Sequence, residues 1–205
     1  NYITCFILDF KYYINMKENT RDYVKIFKKA ISPQLCKKVI KDINNNKKHW
    51  QEHYYSDPVK KNKITRSGKY EFSITYLETA NTISVTKKLW PLLKTYIADL
   101  NFPWFNSWDG YTAIRWNIYN QKEKMQSHCD HIHTMFDGNR KGIPTLTILG
   151  VLNDNYDGGE FKMFEDTIYK LKTGDVIIFP SIFLYPHKVL PVKKGKRYSY
   201  VSWVW

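Results

Sequence analysis

The segment Met125-Gln126-Ser127-His128-Cys129-Asp130 is one of many short alternating or β-branched runs in the C-terminal half of the chain. Runs of the same kind cover residues 111–119, 145–152, 160–164, 167–171, 176–179, 187–189 and 197–205. Turn residues such as Asp157-Gly158-Gly159 and Lys194-Gly195 separate them. Many short strands at close spacing are typical of a β-sandwich or a jelly roll, so we predict a mainly β core over residues 110–205.

Helical patterns are confined to the N-terminal half of the chain, which we expect to support the β core. Ser32 and Pro33 are a typical helix start, and the apolar spacing after them predicts a helix to about Asn44. A second helix is predicted over residues 85–100, with Ser84 as its candidate N-cap. The expected fold class is therefore α+β, mainly β, with N-terminal supporting helices.

No repeat, low-complexity tract or linker divides the 205 residues, so we expect one domain, 1–205. Within it, residues 1–15 are expected to be a peripheral extension. Residues 22–100 would form the helical support region, and residues 110–205 the core that holds the candidate ligands. The polar and basic segment 47–69 is expected to be a mobile surface connection.

The composition limits the classes of protein to which the chain can belong. Apolar residues make up 43% of the chain and aromatic residues 17%, which excludes a disordered composition. No apolar run predicts a membrane span, and the three cysteines form no C-x-x-C pair, so a reducing cytoplasm is expected. The net charge of +13 makes nucleic acid a candidate partner, although solvated Lys-rich surfaces are the favoured explanation of the charge.

His128 and Asp130 are two residues apart, so an extended backbone would present the imidazole and the carboxylate on one face. One further imidazole would complete two His and one carboxylate, the facial triad of non-heme Fe(II) sites. His187 opens a later strand-like run, and Arg197 follows the turn after it. We expect a strand, a tight turn and a return strand to bring the guanidinium of Arg197 near the imidazole of His187.

Residues 110–205 resemble the 2-oxoglutarate- and Fe(II)-dependent dioxygenases of the prolyl 4-hydroxylase type, and residues 22–44 resemble the entry segment of that family. The matching pieces are Tyr119 nine residues before His128, His128-x-Asp130, Leu152-Asn153, Gly158-Gly159-Glu160-Phe161, the run Gly174 to Phe179, Pro186-His187-x-Val189, Arg197-Tyr198 and Trp203-Val204-Trp205. Two positions depart from the pattern. Met125 replaces a tyrosine of many relatives, and Arg197 stands where collagen-type prolyl hydroxylases usually carry lysine. Both departures disfavour a collagen-like substrate.

The resemblance implies a double-stranded β-helix core (a jelly roll, cupin-like) and an enzyme that hydroxylates a C–H bond with release of succinate and CO2. It implies that His128, Asp130 and His187 bind Fe(II), with O2 as oxidant and ascorbate as a candidate reductant. Arg197 would hold the C5 carboxylate of 2-oxoglutarate through its bidentate fork. A surface charge in a Lys-rich turn is the alternative role for Arg197.

Five further side chains are candidate contacts. By the resemblance, Tyr119 and Thr147 would contact 2-oxoglutarate, with ordinary core packing as the alternative for Tyr119. Arg115, Asn117 and Tyr119 alternate onto one face of the strand before the metal pair, so Arg115 and Asn117 are candidate substrate contacts. Hydrogen bonding to neighbouring backbone is the alternative for both. Trp203 is a candidate pocket wall, or else a packing residue.

His131 and His133 follow the metal pair closely and could form with it a zinc site without redox chemistry. Their spacing turns them away from His128 and Asp130 if the strand continues. We therefore assign residues 131–141 to a loop that covers the site or meets the substrate, with His133 as a candidate substrate contact. A plain solvated loop is the alternative.

The substrate is the part that the residues determine least. The resemblance favours a protein or peptide side chain, prolyl in first place. The alternatives are a nucleic acid, a nucleotide or a free amino acid oxidised by the same chemistry, and a non-catalytic metal-binding jelly roll. Relatives that repair alkylated bases carry a second arginine six residues after the co-substrate arginine, where this chain has Trp203. No membrane contact is expected, and the pattern leaves the oligomeric state open.

Overall fold

The computed structural model describes residue 17 and residues 19–56, 63–64, 71–130 and 143–205. Its helices are α1 (Pro33–Asn45), α2 (Ala80–Leu100) and the short 3-10 helices Thr20–Tyr23 and Lys47–His49. The strands before α2 are β1 (Lys25–Phe27), β2 (Gln51–Glu52), β3 (Tyr55–Ser56), β4 (Lys63–Ile64) and β5 (Ser73–Thr75). The strands after α2 are β6 (Arg115–Tyr119), β7 (Met125–His128), β8 (Leu146–Val151), β9 (Asp157–Gly158), β10 (Phe161–Met163), β11 (Thr167–Tyr169), β12 (Val176–Pro180), β13 (His187–Val189), β14 (Val192–Lys194) and β15 (Arg197–Val204).

Helix α1 begins and ends close to where the sequence predicts. The Ser32 hydroxyl accepts a hydrogen bond from the Leu35 amide at 3.3 Å, and Pro33 occupies the first turn. The buried side chains of α1 are Cys36, Val39 and Ile43. The prediction of an N-capped amphipathic helix here is confirmed.

Helix α2 begins five residues earlier than predicted, and Ser84 as its N-cap is wrong. Thr79 is the N-cap, because Thr79 Oγ1 accepts from the Thr82 amide at 3.3 Å while Thr82 Oγ1 accepts from the Thr79 amide at 3.1 Å. This reciprocal pair satisfies two amide donors at the helix start. Ser84 lies inside the helix, where its hydroxyl donates to the Ala80 carbonyl at 2.9 Å.

The strands form a large sheet, a smaller sheet and two short ribbons. The seven-stranded sheet has the order β1-β12-β8-β15-β6-β5-β2, and every pairing in it is antiparallel. The four-stranded sheet has the order β11-β10-β13-β7, again antiparallel. Strands β14 and β9 form one ribbon, and β3 and β4 form the other. Each predicted strand run after residue 110 contains a strand, whereas β9 and β14 were not predicted.

Two apolar layers cover the two faces of the seven-stranded sheet. On one face, sheet residues such as Trp116, Ile148 and Ile178 pack with the buried faces of α1 and α2. On the other face, Tyr119 and Phe179 pack with side chains of the four-stranded sheet. Because residues alternate along a strand, the odd-numbered residues of β6, β8, β12 and β15 face the smaller sheet. We call this side the inner face.

Segment 47–69 differs from the expected surface connection where it is described. Gln51 pairs with Ile74 and Glu52 with Ser73, so β2 forms an edge of the seven-stranded sheet. His53, directly after β2, is only 4% exposed. The burial along these residues is therefore that of a strand edge, with Gln51 and Glu52 exposed and the imidazole of His53 buried.

Several expectations fall outside the described residues, namely the extension at 1–15, His131, His133 and the loop at 131–141. The single-domain organisation stays a prediction. Within the described ranges, neither helix combines the length and the apolar character that a membrane crossing requires.

Candidate metal centre and co-substrate pocket

Two adjacent strands of the four-stranded sheet hold the imidazoles of the predicted triad. His128 ends β7, His187 opens β13, and the two residues are direct register partners. Their ring centroids lie 4.3 Å apart. Asp130 follows two residues after His128, just beyond the end of β7. The structure therefore brings the three predicted ligands together from segments that are almost sixty residues apart in sequence.

The ligand atoms of the three residues converge on one point. One ligand atom from each of His128, Asp130 and His187 lies within 4.8 Å of the others. His128 Nε2 is 3.4 Å from Asp130 Oδ1, and His187 Nε2 is 3.6 Å from Asp130 Oδ2. Charge-assisted hydrogen bonds are shorter, about 2.7–2.9 Å. The spacing is wider than direct pairing needs and suits three ligands around a shared cation.

Backbone carbonyls fix both imidazole rings in the same way. His128 Nδ1 lies 2.8 Å from the Gln126 carbonyl oxygen, and His187 Nδ1 lies 3.0 Å from the Tyr185 carbonyl oxygen. A carbonyl can only accept, so each Nδ1 carries the proton and each Nε2 keeps its lone pair. This second contact, two residues upstream in both cases, is the usual way to orient a metal-binding histidine.

Asp130 is held from the inner face of the larger sheet. Thr147 Oγ1 donates to Asp130 Oδ2 at 2.8 Å, and Thr147 Oγ1 lies 2.7 Å from Ser181 Oγ. Burial by itself would raise the pKa of Asp130. The imidazoles of His187 and His128 and the Thr147 hydroxyl outweigh burial, so the pKa of this carboxyl lies well below its usual value. Asp130 is therefore an anionic oxygen donor at neutral pH.

His187 is uncharged at neutral pH. Burial is the main cause and lowers the pKa of His187 from 6.5 to about 4, although the charge of Asp130 acts in the opposite direction. Metal binding requires the neutral imidazole. Together with the anionic Asp130, this donor set matches the two-His, one-carboxylate triad that non-heme Fe(II) prefers.

Arg197 is buried on the inner face of the larger sheet without a carboxylate partner. It is 1% exposed, and it forms no ion pair among the described residues. Its Nη1 donates to Ser199 Oγ at 2.6 Å, whereas Nε is buried and finds no acceptor in the described part of the chain. An uncompensated buried cation is costly. A ligand carboxylate at this position would satisfy it, and 2-oxoglutarate fits that requirement.

The expected hairpin between His187 and Arg197 is wrong. His187 lies on β13 of the four-stranded sheet, whereas Arg197 lies on β15 of the seven-stranded sheet. The strand between them, β14, pairs with β9 instead. The two residues therefore lie on opposing sheets, and the space between the sheets separates the candidate metal from the candidate carboxylate site.

Tyr119 supports Arg197 from the neighbouring strand. The two residues are register partners, and the Arg197 guanidinium lies 5.1 Å from the centroid of the Tyr119 ring. The Tyr119 hydroxyl donates to Met125 Sδ at 3.6 Å. Burial raises the pKa of Tyr119, so its hydroxyl stays protonated. Both alternatives for Tyr119, pocket contact and core packing, are compatible with this placement.

The sequence did not predict that His53 and Glu71 lie close to this site. His53 stacks on Phe72 with ring centroids 4.3 Å apart, and Phe72 stacks on Tyr119 at the same distance. The column His53–Phe72–Tyr119 therefore ends beneath Arg197. Glu71 is 5% exposed, and its Oε2 accepts from the Gln126 amide at 3.4 Å. The sequence around His53 is polar and basic, which predicts exposure. The burial of His53 follows from the pairing of β2 with β5, which the local sequence does not indicate.

The remaining substrate candidates form one group on the inner face. Arg115 Nε donates to Asn117 Oδ1 at 3.0 Å, and the Arg115 guanidinium lies 4.9 Å from the Trp203 ring centroid. Trp203 is the register partner of Thr147, which contacts Asp130. The three candidates Arg115, Asn117 and Trp203 therefore lie together near the metal ligands.

Residues 114–205 match the family model described as the 2OG-Fe(II) oxygenase superfamily. The chain is 26% identical over 169 residues to a PKHD-type hydroxylase of Prochlorococcus marinus, which covers 81% of this chain and 71% of the relative. The family description names iron(II) and 2-oxoglutarate, the two cofactors predicted from the residues and the resemblance together.

Solved structures share the fold. A prolyl hydroxylase from Trichoplax adhaerens, in complex with a hypoxia inducible factor peptide fragment, superposes with a TM-score of 0.66 at 18% identity, over 89% of this chain and 83% of that chain. The viral collagen prolyl hydroxylase of Paramecium bursaria Chlorella virus-1, solved with 2OG, gives 0.61 at 16% identity, over 89% and 94%. The predicted double-stranded β-helix core is confirmed by these neighbours. The family match over residues 114–205, the hydroxylase relatives and the shared fold together support one conclusion: the chain is a 2-oxoglutarate-dependent oxygenase that is similar to the prolyl 4-hydroxylases.

Proposed function

We propose that this oxygenase hydroxylates a side chain of a protein or peptide, with a prolyl residue as the first candidate, and releases succinate and CO2. One observation carries the proposal. A His-Asp-His set and a buried arginine without a carboxylate partner occupy opposing sheets of one core. The relatives named above add support, since they are hydroxylases and one was solved with a peptide.

In this proposal His128, Asp130 and His187 hold Fe(II), and Arg197 holds the C5 carboxylate of 2-oxoglutarate. Bound iron supplies the activation of O2, and the oxidation of 2-oxoglutarate to succinate and CO2 supplies two of the electrons that O2 accepts. The carbonyl contacts at Nδ1 keep both Nε2 lone pairs directed at one point. Ascorbate as an additional reductant stays a prediction.

Thr147 has a positioning role in this proposal. Its single hydroxyl proton is donated to Asp130, so the carboxylate is held in place from the opposite sheet. The contact of Thr147 with 2-oxoglutarate that the resemblance implies stays a prediction. Tyr119 orients the Arg197 guanidinium through its ring face.

Apolar side chains between the sheets would keep water from the reacting atoms. The buried members of this layer include Leu149, Val151, Phe161, Met163 and Phe179. Phe161 and Phe179 also contact the His187 ring, with centroids 5.4 Å and 5.2 Å away. Exclusion of water directs the oxidant to the substrate C–H bond instead of to side reactions.

The metal and co-substrate assignment is tested by anaerobic titration of the protein with Fe(II) and 2-oxoglutarate. We expect a visible metal-to-ligand charge-transfer band that His187→Ala diminishes, because that variant removes one of three ligands. The absence of a band in the unmodified protein would contradict the assignment.

The substrate class is tested by succinate release with Pro-containing peptides, short oligonucleotides and free amino acids, each analysed by mass spectrometry. We expect a gain of one oxygen atom on a peptide. A gain on an oligonucleotide or a free amino acid instead would replace the peptide assignment, and nucleic acid has no support from the relatives named above.

A further inference from the structure

The inner face of the larger sheet carries a second arginine, and its environment differs from that of Arg197. Arg115 is partly exposed, whereas Arg197 is 1% exposed. The Arg197 guanidinium is buried beside the Tyr119 ring. Arg115 lies at the opposite end of the same strand pair, opposite Val201 in the register. The two guanidinium groups therefore lie at opposite ends of the β6–β15 pair.

Arg115 lies two side chains away from the metal ligand Asp130. Its guanidinium contacts the Trp203 ring at 4.9 Å, and Trp203 is directly opposite Thr147 in the sheet. Side chains of directly opposite residues are close neighbours on one face. Thr147 in turn donates to Asp130 at 2.8 Å. A group bound by Arg115 would therefore lie close to the carbon that is oxidised, not at a remote surface.

The orientation of Arg115 is fixed, but its charge is not neutralised. Nε donates to Asn117 Oδ1 at 3.0 Å, and Asn117 is itself 3% exposed. In the described ranges Arg115 has no ion pair, and its terminal nitrogens donate no hydrogen bond. A guanidinium has five N–H donors in a fixed fork. Four of them remain available here.

Trp203 adds a second donor without a partner. Its indole Nε1 is shielded from solvent and has no acceptor among the residues that the structure describes. An unsatisfied buried N–H destabilises the fold, so an acceptor supplied by a ligand would be favourable. A held cation and an orphan indole N–H at one wall of the pocket together require an anionic acceptor.

We propose that Arg115 and Trp203 recognise a carboxylate that the substrate carries beside the oxidised carbon. This inference rests on the proposed function and names a feature of its substrate. A planar guanidinium pairs bidentately with a carboxylate. A nucleic-acid strand would instead require a row of cations interleaved with stacking aromatics, and this wall offers one fork. The net charge of +13 also attracts acidic peptides over long range.

The carboxylate could come from three sources, and the test separates them. Succinate release and oxygen incorporation are measured with Pro-containing peptides in matched pairs: Asp or Glu beside the proline against Asn or Gln, and a free C-terminus against an amidated one. Free amino acids against their amides form the third pair. We expect kcat/KM to be about 10- to 100-fold higher for the carboxylate member of one pair, mainly through KM.

Three variants assign the preference to Arg115. Arg115→Gln should abolish the difference between the carboxylate and its amide, and Arg115→Lys should retain part of it because the charge remains. Lys41→Gln removes one positive charge from the exposed face of α1 and should leave the difference intact. The Fe(II)/2-oxoglutarate absorbance band should persist in all three, which shows that each is folded and loaded.

The outcomes distinguish this inference from the proposed function. Absence of the band in the unmodified protein contradicts the metal and co-substrate assignment. A normal band with equal turnover of carboxylates and amides overturns the inference alone. A normal band with oxidation of none of the carboxylate compounds also overturns the inference. A normal band with oxidation only of oligonucleotides overturns both the inference and the peptide assignment, while the metal and co-substrate assignment stands.

Discussion

The seven-stranded and four-stranded sheets hold their site residues by different means. Strand β15, which carries Arg197, has seven of its eight residues buried, and β8 beside it is buried throughout. In the smaller sheet, β7 has one buried residue of four, and β11 has none. Helices cover one face of the larger sheet and the smaller sheet covers the other.

The smaller sheet is held at its outer face by polar contacts. Glu165 accepts from Ser127 at 3.0 Å and from Lys188 at 2.6 Å, and these two donors are chain neighbours of the metal-site histidines. Exposed contacts of this kind contribute little to stability. We therefore expect burial to hold the co-substrate end in place, and the metal end to depend more on hydrogen bonds to its ligands and on the bound metal.

The largest expected effect is on the binding of 2-oxoglutarate, and it distinguishes the Arg197 end of the site from the metal end. Arg197→Gln should weaken 2-oxoglutarate binding by about 100-fold or more, because a buried charge-assisted pair is lost. Fe(II) affinity should stay unchanged, since the ligands lie on the other sheet. Isothermal titration with each ligand measures both values.

Lys196→Gln is the matched control, because it removes a neighbouring but exposed cation. It should leave 2-oxoglutarate affinity unaltered. Equal 2-oxoglutarate affinity in Arg197→Gln and the unmodified protein would show that another group holds the co-substrate.

An intermediate effect concerns the stability of the metal-free protein in acid. The pKa of His187 is about 4 in the fold and 6.5 ordinarily, so the unfolded chain takes up a proton first as the pH falls. This contribution is fully present above pH 6.5 and is lost as the pH falls towards 4. Between pH 7 and 5 the free energy of unfolding should fall by about 2 kcal/mol from His187 alone.

Denaturant titrations in the presence of a chelator measure this loss. His187→Gln should reduce the dependence on pH without removing it, because burial also lowers the pKa of His53. An identical dependence in both proteins would mean that His187 is not buried as a neutral imidazole.

The smallest effect concerns the hydroxyl of Thr147, which reaches from the larger sheet to Asp130. Thr147→Val keeps the shape of the side chain and removes the hydrogen bond to Asp130, so Fe(II) affinity should fall by about 10-fold. Thr145→Val makes the same change two residues earlier, where the hydroxyl donates to the Val204 carbonyl instead. If both variants bind Fe(II) alike, Thr147 has no positioning role.

Only the pair His128 and Asp130 could be predicted from local spacing in the sequence. His128 and Asp130 are two residues apart, and His187 and Arg197 were assigned by the resemblance to a family. Their arrangement could not be predicted, since β13, β14 and β15 follow one another in the chain yet belong to three different sheets. The sheet to which each strand belongs depends on pairing with strands that are distant in the sequence, and local patterns do not predict this pairing.

The predictions for His53 and for the start of α2 also failed because the local sequence does not determine the contacts that each of them makes. His53 stands in a polar and basic segment, so its burial depends wholly on the pairing of β2 with β5. The start of α2 was misplaced because Ser84 was taken as the N-cap instead of Thr79. The reciprocal cap uses Thr82 in place of the more usual Glu or Gln.

The contact between Thr147 and Ser181 imposes a direction on a chain of hydroxyl groups. Thr147 has one proton, which it gives to Asp130, so Ser181 must be the donor in the 2.7 Å contact between their hydroxyls. The hydrogen bonds therefore run in one direction only: Ser181 donates to Thr147, and Thr147 donates to the Asp130 carboxylate. A side chain that cannot donate at position 181 would leave the Thr147 oxygen without its partner. Among relatives that keep this threonine and this aspartate, position 181 should accordingly admit only residues that carry a proton to give.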